Sequence, residues 1–261
     1  MSPEELVSRS CEYTSTSVGN FIGGRVAISE ELAGVRIFEP PIFGFGSPDD
    51  LLFEKFTLVV SEKFIKPRQW LGSAKTVVSF FLPYSQAVRK SNAKDFSWPS
   101  VLWLHARYEG QMFVLELARY LCGLFGAKSV IPAVDEKFKT GDSNSRFTSN
   151  WSERHVAYAC GLGTFGMSKG LITEKGICGR FGSIITEQDF PKTSRNYVGV
   201  YDYCNSCKNC VTNCPVGAIS DEGKNDLLCS SFLDKTFEKH SPRYACGKCQ
   251  VGVSCESSIP L

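Results

Sequence analysis

The 261 residues are 43% hydrophobic and 21% charged, and 29 basic residues against 27 acidic ones leave a formal net charge of +2. That balance gives no basic footprint of the kind nucleic-acid or membrane-surface binding uses, and the apolar content is ample for a packed core. No run of eighteen apolar residues occurs and the stretch from Met1 to Leu6 has no leader pattern, so the expectation is a cytoplasmic chain without a membrane partner.

In chain order, Pro3 to Ser17 reads as a helix, and the apolar runs Gly34 to Phe38 and Thr76 to Leu82, bounded by Gly and Pro, read as buried strands. Leu102, Leu115, Leu117 and Leu121 recur through Ser100 to Phe125 without a proline, which predicts one long amphipathic helix. A strand is expected over Ser129 to Val134, then a polar, turn-rich stretch from Glu136 to Asn150. Asn150 with Glu153 three residues on resembles a capping box opening a helix through Cys160. Leu171 to Thr173 and Phe181 to Thr186 read as a strand pair joined through a glycine turn. The expected division is a body over 1–195 and a second domain over 196–261.

Of twelve cysteines, Cys11, Cys122, Cys160 and Cys178 are scattered and eight fall between residues 204 and 255. Scattered cysteines read as small buried hydrophobes. The run Cys204, Cys207, Cys210, Cys214, Pro215 is C-x2-C-x2-C-x3-C-P, in which a short loop wraps three thiolates around one [4Fe-4S] cube and the fourth ligates a second cluster. Cys229, Cys246, Cys249 and Cys255 complete the donors. The crossed assignment puts Cys204, Cys207, Cys210 and Cys255 on one cluster and Cys214, Cys229, Cys246 and Cys249 on the other. A four-cysteine zinc site needs neither the third cysteine at this spacing nor the Cys-Pro exit.

Gly161-Leu-Gly163-Thr-Phe-Gly166 matches a dinucleotide fingerprint, but it follows a predicted helix and precedes predicted strands, the reverse of the order that presents a helix N-terminus to pyrophosphate. A nicotinamide site is therefore set aside. The glycines read as a helix end and tight turn, or as a place where backbone approaches a flat cofactor.

A helix, then Gly-Leu-Gly-x-x-Gly, then strands, then C-x2-C-x2-C-x3-C-P-x-G-A-I together resemble the epoxyqueuosine reductases and, more distantly, the reductive dehalogenases. The resemblance is specific from about Ser149 to Pro260. It implies an α+β fold, with a nitroreductase-like α/β body followed by a two-cluster ferredoxin-like domain, and cobalamin between them. It also implies an acidic proton donor at the long helix, where Ala106-Arg-Tyr-Glu-Gly110 offers Glu109 with Tyr108 beside it. Burial against a corrinoid would raise the Glu109 pKa and fit it to donate a proton. The alternative for Arg107 and Glu109 is a solvated charged face. Gly161, Gly163, Gly166, Met167 and Ser168 are the candidate cofactor contacts, and Arg154 and His155 the candidate phosphate or substrate contacts, His155 being equally readable as a core histidine.

The expected activity is a corrinoid-dependent reductase acting on a small substrate or a corrinoid-protein partner, with reduced ferredoxin or flavodoxin as electron donor. The alternatives are an electron-transfer protein or corrinoid reactivase, and a reductase with flavin in the body. Because the chain ends at Leu261, six residues after the last cysteine, the expectation is that tRNA is not a partner.

Overall fold

Ser2 opens helix α1 (Pro3–Thr16): its hydroxyl accepts from the Glu5 amide, and Pro3 stands where a missing N–H costs nothing. This computed structural model describes residues 1–141 and 147–261. Next come strand β1 (Ile42–Gly46), helix α2 (Leu51–Val59), the single turn α3 (Pro67–Trp70), strand β2 (Thr76–Pro83) and helix α4 (Gln86–Asn92). Helix α5 (Val101–Phe125) starts where the Ser100 hydroxyl accepts from the Trp103 amide at 3.1 Å and stops at Gly126, whose φ of 59° leaves the helix in a left-handed turn. Strand β3 (Ser129–Val130), helix α6 (Glu153–Ala159) and strands β4 (Gly163–Phe165), β5 (Leu171–Thr173) and β6 (Gly179–Thr186) follow. The last part holds α7 (Asn209–Thr212), β7 (Ile219–Ser220), β8 (Gly223–Lys224) and α8 (Asp226–His240).

Strands β1, β2, β6 and β3 form one antiparallel sheet in that order. Every residue of β2 is buried, which is why its sequence is an unbroken apolar run. Successive strand side chains point to opposite faces. Accordingly Val78, Phe80, Leu82 and Ile184 pack with Phe113, Leu117 and Leu121 of α5, while Val77 and Ile185 pack with Phe53, Phe56, Trp151 and Val156. The sheet thus lies between α5 on one side and α2 with α6 on the other. Each large apolar side chain so buried contributes about 1.5–3 kcal/mol.

Strand β3 pairs only with Ile185 and Thr186. The β6 edge from Gly179 to Ser183 is therefore left to line a cavity.

The structure corrects several sequence expectations. Residues 34–38 form isolated bridges, Phe21 with Arg36 and Phe38 with Tyr84, because their amides also serve Asn20. The expected strand over 129–134 is two residues followed by a 3-10 turn at Pro132, where proline cannot donate to a ladder. β5 pairs with β4, and β6 joins the main sheet, so the expected strand pair does not form. Asn150 does not cap α6: its side chain binds the backbone of Lys137 and Lys139, and Ser152 takes the cap position. Within Glu136 to Asn150, Gly141 donates to the Thr148 carbonyl at 2.8 Å, and residues 142–146 of this predicted turn-rich stretch lie outside the described residues. Among the described residues no helix is long and apolar enough to cross a membrane.

Candidate metal centres and the adjoining cavity

Two small cavities carry four thiols each. One, about 20 Å³, is lined by Cys204, Cys207, Cys210 and Cys255. The other, about 180 Å³, is lined by Cys214, Cys229, Cys246 and Cys249. These are the two sets expected from spacing. Ser206 and Lys208 take left-handed φ of 55° and 59°, which curls the 204–210 loop around the first cavity. Cys229 reaches the second from the first turn of α8, a helix that periodicity alone did not mark. Donors already point at the sulfurs: the Ala218 amide is 3.2 Å from Cys214 Sγ, and the Ser254 hydroxyl 3.0 Å from Cys207 Sγ.

Crowding shows in the protonation of these thiols. Burial, then the charges of Cys204, Cys207 and Cys210, push Cys255 up to about 12. Burial likewise pushes Cys246 up to about 12, with Cys249, Cys229 and Cys214 adding to it. A cluster that takes up thiolate charge relieves this repulsion, so the donor chemistry fits [4Fe-4S] binding. The sets abut: for Cys210, raised to about 11 chiefly by burial, the strongest thiolate neighbour is Cys249 of the other set. Among the described residues no three His, Cys, Asp or Glu side chains close on a single-ion site; the thiols stand around a volume instead.

A third cavity of about 700 Å³ shares the Cys249 wall and also meets Arg107, Arg180 and Lys224 on both sides. Five consecutive β6 residues, Gly179 to Ser183, line it, which alternating side chains permit only at a strand edge. Trp151 and Phe181 give it apolar surface. Glu153, at the start of α6, faces into it with Oε2 buried and lacking a hydrogen-bond partner. Burial pushes the Glu153 carboxyl up to about 7, against the opposing pull of Ser183 and Arg180. Arg180 Nε is likewise buried and unpartnered, while its Nη2 donates to Gln111 Oε1. Arg107 Nη2 donates to the Tyr244 hydroxyl at 3.1 Å.

The expected proton donor is elsewhere. Glu109 does not line the cavity; Arg243 Nε donates to its Oε1 at 2.9 Å, and the guanidinium also sits over the Tyr108 ring at 5.8 Å. Burial would raise the Glu109 pKa, but the adjacent His105 ring and the hydrogen bonds from Arg243 outweigh it and hold the carboxyl below its ordinary range, the opposite of the expectation. Gly161 and Gly163 line none of the three cavities. Thr193 packs over Gly161, and a Cβ at Gly163 would meet the Ile172 carbonyl oxygen at 1.9 Å, so the glycine there admits the β5 strand and not a cofactor. Gly166 and Met167 line the first thiol cavity, and Ser168 lines that one and the large one. Arg154 lines the large cavity and donates to the Lys169 carbonyl. His155 is a core histidine: its Nδ1 pairs with the Ser152 hydroxyl at 2.8 Å, it packs on Phe56 and Phe165, and burial first, then Arg154, lower it to about 4. Sequence reasoning missed Glu153 and Arg180 as site residues. The available signal was Gly179-Arg180-Phe181-Gly182, a charge between glycines at the head of an apolar strand.

Residues 197–220 match the 4Fe-4S binding domain family. Among curated proteins, the epoxyqueuosine reductase of Listeria monocytogenes serovar 1/2a is 36% identical over 116 residues, 40% of this chain and 29% of the relative. That of Bacillus anthracis is 26% identical over 202 residues, 73% of this chain and 50% of the relative. The chain thus spans half or less of the length of these relatives. Among solved structures, epoxyqueuosine reductase from Streptococcus thermophilus superposes with a TM-score of 0.51 at 21% identity, over 84% of this chain and 64% of that one. A catabolic reductive dehalogenase in complex with 3-bromo-4-hydroxybenzoic acid gives 0.55 at 11% identity, over 99% and 37%. These structural likenesses are of fold. The fold and the thiol pattern define an iron–sulfur protein with a mixed α/β body and a C-terminal 4Fe-4S segment. It is related to the epoxyqueuosine reductases, as the resemblance in its motifs implied.

The expectation against tRNA is corrected by the same findings. The curated relatives are named for epoxyqueuosine reduction. The position of the last residue, on which the expectation rested, carries no weight about partners.

Proposed function

We propose that this chain is an oxidoreductase of the epoxyqueuosine reductase kind, in which two [4Fe-4S] clusters supply electrons to a corrinoid in the large cavity. Residues 1–195 are the nitroreductase-like body and 196–261 the ferredoxin-like domain, with cluster ligands in the crossed sets given above. The observation that carries the reading is the position of Cys249: one ligand of the inner cluster is also a wall of the large cavity, so the electron donor adjoins the acceptor's space. About 700 Å³ with an apolar side and a few convergent polar groups is the form of a cofactor or substrate site.

When bound, a corrinoid would supply low-potential one-electron chemistry at cobalt. Arg154 and Ser168 would hold its polar periphery, and Trp151 and Phe181 would cover its apolar part and exclude water. Glu153, its carboxyl raised to about 7, is poised near neutrality on the cavity wall, as a general acid needs to be. Both a small substrate and a modified base carried on tRNA are compatible with this assignment.

The test is EPR of anaerobically purified, cluster-loaded protein with cob(II)alamin added. A cobalt hyperfine pattern shifted to the base-off form is the expected result. An unchanged free-cobalamin spectrum would remove the corrinoid from the reading.

A further inference from the structure

The large cavity is lopsided in charge. Arg107, Arg154, Arg180 and Lys224 line it against one carboxyl, Glu153, among the described residues. One carboxyl, charged or not, does not balance four cations. Lys224 is accounted for by its place beside the thiols Cys249 and Cys229. Arg180 is not. Its electrostatic neighbours are Arg107, Arg154, Tyr84 and Tyr244, and the one carboxyl that feels it is Glu153, yet Glu153 Oε2 and Arg180 Nε are both left without a hydrogen-bond partner. Leaving a guanidinium buried without a paired counter-charge is unfavourable. The β6 strand nonetheless carries it at the open sheet edge, opposite Leu82 and beside Gln111 and Arg107.

We propose that Arg180 and Arg107 form an anion subsite in the large cavity, taking a carboxylate or phosphate on a ligand whose apolar part lies against Trp151 and Phe181. The guanidinium fork suits either anion through paired N–H donors. This rests on the cavity being a ligand site and is independent of whether that ligand includes a corrinoid. The anionic group has two possible sources, a phosphodiester of the cofactor or an acidic group of the substrate, and both present the same chemistry to Arg180.

Calorimetry on anaerobic, cluster-loaded protein tests it with three probes: benzoate, phenyl phosphate and neutral benzamide. The expected result is at least about tenfold tighter binding of the two anions than of benzamide. In Arg180→Gln and Arg107→Gln the preference falls towards one while benzamide binding is kept, and Arg180→Lys retains part of it. Iron content and cluster absorbance of each variant report that the fold is intact. Equal binding of benzoate and benzamide by the native protein overturns the proposal. So does a preference unchanged in Arg180→Gln while the cluster potential shifts, which would make the guanidinium a counter-charge to the cluster. Competition then separates the sources: displacement of benzoate by cobalamin but not by a corrinoid lacking the nucleotide phosphate assigns the subsite to the cofactor, and displacement by neither assigns it to the substrate. Failure of these arms leaves the cobalt EPR result standing, and the reverse also holds.

Discussion

Arg243 holds Glu109 across the junction between the long helix and the cysteine-bearing segment, its Nε lying 2.9 Å from Oε1 and 3.3 Å from Oε2. The two side chains are 14% and 16% exposed, and His105 Nδ1 stands 3.4 Å from the other side of the carboxylate. Removing one partner of a pair this enclosed strands the other, at about 2–3 kcal/mol once residual solvent access is allowed for. Glu109→Ala and Arg243→Ala are each expected to lower the unfolding free energy by that amount, and the double variant by little more than either alone. Additive losses would show that the pair does not act as a unit.

The same pair sets an acid limit. The folded-state pKa of Glu109 lies below its ordinary 4.5, so its stabilisation is full above that value and is lost as pH falls through the folded pKa. Glu109→Gln should flatten the fall in stability below about pH 4.5. A slope unchanged by the substitution would assign the acid sensitivity to other carboxylates.

Glu153 has the opposite sign. Its folded pKa is raised from 4.5 to about 7, so the folded state binds a proton that the unfolded chain has released, and stability falls as pH rises through that window. Ionisation in the folded state costs about 3 kcal/mol by pH 8. Glu153→Gln should therefore gain stability over the native protein at pH 8 and little at pH 4. By infrared spectroscopy, a protonated-carboxyl band titrating near pH 7 should be present in the native protein and missing from Glu153→Gln. A band already lost by pH 5 would show that Glu153 is ionised at neutrality and no proton donor.

Crossed ligation makes a prediction that simple tandem ligation does not. With Cys204 and Cys214 in different sets, Cys204→Ala combined with Cys214→Ala should lose essentially all iron, whereas Cys204→Ala with Cys255→Ala should keep about half. Tandem ligation, with Cys214 joining Cys204, Cys207 and Cys210, would leave about half the iron in the first pair. Iron and sulfide analysis of the two purified variants decides between them.

Gly247 lies between Cys246 and Cys249 at φ 69°, and a Cβ there would meet Trp103 Cζ2 at 2.0 Å. Gly217 has a similar φ of 61° but nothing within 4 Å. Gly217→Ala should cost only the left-handed backbone penalty, about 1–2 kcal/mol, and keep its iron. Gly247→Ala adds a collision with a buried indole and should lose the inner cluster, leaving about half the iron. Equal iron in the two variants would show that Trp103 gives way.

Local chemistry in the sequence was enough to set out β2, α5 and the eight thiols. An unbroken apolar run, a long proline-free amphipathic stretch and cysteines two or three residues apart each fix their neighbours through short-range geometry. The two thiol sets read from spacing are those that line the two small cavities. Tertiary structure alone decided which carboxyl faces the large cavity. Glu109 and Glu153 each sit on a helix within two residues of an arginine, and nothing local separates them. Arg243, 134 residues away, pairs with Glu109, whereas β3 stops at Val130 and leaves the β6 edge open beside Glu153. The Gly161-to-Gly166 run went the same way: its meaning depended on β5 packing against Gly163, a contact that strand pairing creates and local periodicity does not encode.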